Sequence, residues 1–107
     1  MEPKYYAKKF PEVANFFGGY FHQDWIDLQG SSDWRPVVRA YCQTVPLEER
    51  SRVTRELSDF LRLDLDEHEV DTVLGYQFGC AYYAPAGGIT YWEWLEQLYV
   101  ELVRCDS

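Results

Sequence analysis

Between Phe16 and Trp25 the chain reads FFGGYFHQDW, and this stretch restricts the folds open to it more than any other. Phe16, Phe17, Tyr20, Phe21 and Trp25 are large rings that must be buried somewhere. Val13, Phe16, Phe17, Tyr20 and Phe21 recur at spacings of three and four, which is one face of a helix. The helix is expected to open at Phe10-Pro11-Glu12. Proline is tolerated in a first turn, and a carboxylate there meets the positive end of the helix dipole. Gly18-Gly19 costs about 1 kcal/mol per glycine inside a helix. Close approach of another helix's backbone would explain that cost. Tyr20, Phe21, His22, Gln23, Asp24 and Trp25 then close the segment and pass into the polar turn DLQGSS.

The remaining segments carry the same period. Residues 1–9 read as a loose basic lead-in. After the turn, Ser32 or Asp33 can cap a helix with Pro36 in its first turn and Val37, Val38, Tyr41, Cys42 and Val45 along it. Pro46 ends that helix. Residues 47–63 form an amphipathic one, with Val53, Leu57, Phe60 and Leu61 on its apolar side. Asp64 or Asp66 can cap the next, with Glu67 or Glu69 as capping-box partner, and Gly79 suits a left-handed end. CAYYAPAGG is the least helical stretch. Thr90 with Glu93 forms a capping box for a last helix from about Tyr91 to Arg104. Its buried stripe is Tyr91, Trp94, Leu95, Leu98 and Leu102; Glu93, Gln97, Val100, Glu101 and Arg104 lie opposite. No segment alternates as a strand does. The expectation is an all-α single domain spanning residues 1–107, a compact bundle of about five helices with short loops.

The net charge of −8 is unevenly placed. Residues 1–62 hold nine Lys and Arg against nine Asp and Glu, whereas residues 63–107 hold Arg104 alone against nine acids. A nucleic-acid or anionic-membrane partner needs basic surface and is not expected. The acids can keep the chain soluble, or they can attract a basic partner. No apolar run approaches the roughly 20 residues of a membrane span. MEPKYYAKKF lacks the apolar region of a secretory signal, so the chain is expected in the cytoplasm. Cys42, Cys80 and Cys105 are odd in number and form no CxxC pair; they read as reduced, mostly buried thiols.

Candidate chemistry is sparse. His22 and Asp24 could orient a base toward Cys80, yet no catalytic signature frames that cysteine. A role in holding the helix end suits them better. Asp66, His68 and Asp71 lack metal-ligand spacing. There is no phosphate-binding glycine motif. No cofactor or metal is therefore expected. The acidic run Asp64, Asp66, Glu67, Glu69 and Asp71 has two readings. It stabilises a helix start, or it docks a basic protein with Tyr82, Tyr83 and Trp92 as anchors.

FPEVANFFGGYFHQDW, then CAYYAP, then GITYWEWLEQL resembles the CdiI-type immunity proteins of bacterial contact-dependent growth inhibition systems. The matching positions are Phe10 to Glu12, Phe16 and Phe17, Tyr20 to Trp25, Cys80 to Pro85, and Gly88 to Tyr91 with Trp94 and Leu95. The resemblance implies a cytoplasmic protein that binds, one to one, the C-terminal toxin domain of a cognate CdiA effector. Such toxins are often nucleases. Immunity proteins bind their toxins by differing surfaces, so the shared blocks are expected to carry the fold. These are Tyr20 to Trp25 with Thr90, Tyr91 and Trp94. A basic nuclease would meet the acidic half, through Asp64, Asp66, Glu67, Glu69, Asp71, Tyr82, Tyr83, Trp92, Glu93 and Glu96. The chain would perform no catalysis. The other expectation is a small helical adaptor for a different basic cytosolic protein.

Overall fold

The structure is a computed structural model that describes residues 5–22, 25 and 33–105. Gln23 and Asp24 lie outside the described residues, as does Ser32. Helix α1 is Tyr5–Lys9, α2 is Pro11–Tyr20, α3 is Arg35–Thr44 and α4 is Leu47–Phe60. Helix α5, Glu67–Thr72, runs straight into a π-helical turn, Val73–Gln77. A short 3₁₀ turn, Ala84–Gly87, precedes α6, Tyr91–Arg104. The described residues contain no strand, so the fold is all-α.

Residues 5–9 are helical rather than loose. The side chain that holds their start is distant in sequence: Gln77 Oε1 accepts the backbone N–H groups of Tyr6 and Ala7. Helix α2 begins on Phe10-Pro11 as expected but has no side-chain cap of its own. Glu56 of α4 supplies it, accepting from the N–H of Glu12 at 2.9 Å and of Val13 at 3.1 Å. Burial raises the pKa of Glu56, against the two amides that pull it down.

Gly18 has the close approach that a helical glycine implies. A Cβ there would stand 3.4 Å from the Phe78 carbonyl oxygen. The approaching backbone belongs to the end of the π turn rather than to a helix flank. Gly19 has nothing within 4 Å and no such reason. Gly79 adopts φ +70 and ends the segment in the left-handed region, as expected.

The cysteines differ from expectation. Cys42 on α3 and Cys105 at the end of α6 form a disulfide, with Cα atoms 5.9 Å apart. Only Cys80 is a free buried thiol. The pairing joins residues 63 apart, and no local pattern announces such a contact.

One core holds the elements together. Trp94 of α6 is fully buried at its centre. The rings of Phe17, Phe21, Trp34 and Tyr82 surround it at 5.7, 5.5, 6.1 and 4.4 Å between centroids. Phe60 joins α4 to this cluster through Phe78 at 5.5 Å and to Trp92 at 5.7 Å. Every residue of the expected α6 stripe is buried, and no charged residue is buried among those described. The radius of gyration, 13.0 Å, is that of a single domain of this length.

Candidate functional site

The acidic run is first of all local architecture. Asp66 caps α5 by accepting the Glu69 N–H at 2.7 Å, and Glu69 returns the bond to the Asp66 N–H at 3.2 Å. Glu67 reaches another helix. Its carboxylate accepts the Tyr91 N–H at 2.6 Å and the Trp92 N–H at 3.4 Å. Thr90 and Glu93 complete that end as a capping box. Asp71 accepts from the Tyr91 hydroxyl, and burial with this neighbouring carboxylate raises the tyrosine's pKa.

These bonds bring the start of α5 against the start of α6. Trp92 donates its indole N–H to the Leu65 carbonyl at 2.9 Å and is half-buried against Phe60. Tyr82 is half-buried on Trp94 and Trp25. Tyr83 stands 60% exposed, beside Tyr91. Of the candidates, Glu67, Tyr82 and Trp92 are thus partly buried in the fold. Asp64, Asp66, Glu69, Asp71, Tyr83, Glu93 and Glu96 face solvent around the α5–α6 junction and along α6.

The exposed side of α6 forms one wall of an open groove of about 440 Å³, lined by Arg35, Glu93, Glu96, Gln97, Val100, Glu101 and Arg104. The α6 members belong to the polar stripe legible in its spacing. Arg35 is the addition that sequence reasoning missed. Its guanidinium lies 4.7 Å over the Trp34 ring and donates to Gln97 Oε1 at 3.4 Å. No short-range signal connects residues 35 and 97.

Burial pushes the Cys80 thiol up to about 12, so it stays protonated and poorly nucleophilic at neutral pH. Asp66 is occupied as a cap, and among the described residues no three His, Cys, Asp or Glu side chains gather as a metal site. None of the described helices is long and apolar enough to cross a membrane.

Residues from the matching blocks meet in the core, where Phe21 packs on Trp94 and Trp25 on Tyr82 of the Cys80–Pro85 block. The chain belongs to the CdiI immunity protein family, whose pattern matches residues 9–102. It is also similar to a chain of the crystal structure of a CdiA-CT/CdiI complex from Y. kristensenii 33638. That chain is 30% identical with a TM-score of 0.78, over 88% of this chain and 98% of that one. No curated protein matches.

Proposed function

We propose that this chain binds the C-terminal toxin domain of a cognate CdiA effector and neutralises it by stoichiometric occlusion, without chemistry of its own. The observation that carries the reading is its similarity, across nearly its whole length, to a chain solved in a CdiA-CT/CdiI complex. The charge supports a finer statement. Residues 63–107 hold one basic residue and nine acidic ones. A nuclease presents basic surface to its substrate's phosphates, and carboxylates can stand where those phosphates would lie. The contact runs from the 64–71 acids over the 79–89 loop to the exposed edge of α6. Tyr83 is its exposed ring, and Asp64, Asp66, Glu93 and Glu96 are its outward carboxylates. Steering by these charges speeds association, and buried contacts slow release.

The experiment is titration of the chain with the purified toxin domain encoded beside it, at low and at high salt. One-to-one binding that weakens with salt is the expected result. Tight binding indifferent to salt moves the contact to an apolar face. No binding overturns the immunity reading and favours an adaptor for another protein.

A further inference from the structure

The Cys42–Cys105 disulfide does more than join two helices. It sets one end of the α3–α6 seam, one residue beyond Arg104 of the groove lining. The seam has two fixed points. At the first, Arg35 of α3 donates to Gln97 of α6. The second is the disulfide, seven residues further along α3 and eight further along α6. At 1.5 Å per residue these are climbs of about 10 and 12 Å, so the two helices run parallel and the bond clasps their C-terminal ends. Val100, Glu101 and Arg104, which line the groove, lie between the two points. Val100 is 47% exposed. Cys105 is the C-cap of α6, and its backbone N–H returns only to its own helix, at Glu101 and Val103. Without the clasp, the final turn of α6 keeps its own helical bonds and the packing of Leu102.

Exposure separates the three cysteines. Cys42 and Cys105 are half-buried, within reach of a small thiol, whereas Cys80 is 8% exposed. A dithiol–disulfide pair that thiols can reach, one residue beyond Arg104 of the groove lining, has the placement of a switch.

We propose that the Cys42–Cys105 pair is a redox clasp on the docking groove: the disulfide form holds the end of α6 ready for the toxin, and the dithiol form loosens it. This regulation rests on the immunity reading above. The exchange uses thiols of the glutathione class. One thiolate attacks a sulfur of the pair, giving a mixed disulfide and releasing the other cysteine as a thiolate, which takes a proton. A second thiol cleaves the mixed disulfide. Two small thiols are oxidised to their disulfide, and the protein bond gains two electrons and two protons. Ordering a loosened turn on binding costs affinity, so the oxidised form binds more tightly.

The experiment equilibrates the full chain in reduced and in oxidised glutathione. It then counts alkylatable thiols, follows amide exchange over residues 97–105, and measures affinity for the neighbouring toxin domain. Reduction should free two thiols in the native state and leave Cys80 protected. It should speed exchange in the last turn of α6 and weaken binding by about tenfold, a usual size for coupled sites. The C42S/C105S double variant should behave as the reduced form in both buffers. Equal affinity in the two buffers, unchanged exchange, or a pair that does not cycle without unfolding overturns the clasp. Absence of binding in both buffers sinks the immunity reading, and the clasp then stands or falls on exchange alone.

Discussion

The carboxylate of Glu67 serves a helix other than its own, and two more side chains do the same. Gln77 holds the first amides of α1, Glu56 those of α2, and Glu67 those of α6. The first amides of a helix lack partners within it, and a carboxylate there also meets the positive end of the dipole. Glu67→Ala should therefore lower stability by about 1 kcal/mol or somewhat more, as loss of a cap does. Asp64→Asn, at an exposed position with no such bond, should stay within about 0.5 kcal/mol of the parent. Urea unfolding of both variants checks the contrast; equal effects would show that Glu67 does not cap α6. The local caps, Asp66 with Glu69 and Thr90 with Glu93, were legible because both partners lie three residues apart. The pattern offers Glu67 as a capping-box partner at its own helix start or as one acid of a docking run. Its target lies 24 residues away, a distance that periodicity does not span.

At the scale of elements, the segment from Asp66 to Gly79 separates what patterning carries from what it cannot. Its start, its stripe of Val70, Val73, Leu74 and Phe78, and its left-handed end were legible. The π turn was not. The Phe78 N–H bonds to the Val73 carbonyl, five residues back, at 3.0 Å. The wider turn keeps Val73, Leu74 and Phe78 in the core and leaves Gly75 outside, with nothing within 4 Å of a Cβ. Gly75→Ala should therefore stabilise the chain by about 0.5 to 1 kcal/mol, since it restricts the unfolded state without a clash. Gly79→Ala should do the opposite, because φ +70 is costly for a residue with a Cβ. Thermal melts of the pair check the signs, and a destabilised Gly75→Ala would show that the turn needs its glycine. Helix α1 escaped the sequence reading for a related reason. Five residues are too few to show a period, and Gln77 holds it from across the fold.

Over the whole molecule, buried ionisable groups set the alkaline limit. Burial raises Cys80 from 9.0 to about 12 and Tyr41 from 10.0 to about 12; it also raises Tyr82 and Tyr91. Each group is neutral when folded and ionises more readily when unfolded. Its contribution is thus complete below the unfolded pKa and lost as pH climbs through the folded one. The urea midpoint should hold its level up to about pH 9 with respect to these groups and decline toward pH 12, and Cys80→Ala should flatten the first part of the decline. A profile for the variant that overlays the parent between pH 9 and 10 would remove Cys80 from this account.

The charge asymmetry belongs to this scale too, and the fold shows how to separate its two uses. Glu67 holds α6, whereas Asp64 and Glu96 face solvent and take no part in the caps of the described helices. Reversing Asp64 and Glu96 to lysine changes the net charge of the acidic half by four and breaks no cap. If the acidic half steers a basic toxin, the double variant should unfold at nearly the parent's urea concentration. It should associate with the toxin more slowly by about tenfold at low salt, with the difference shrinking as salt screens the field. Stopped-flow association at two ionic strengths measures this directly. An unchanged rate in a stable variant would take the steering role from these residues and leave the carboxylates of this edge as helix architecture.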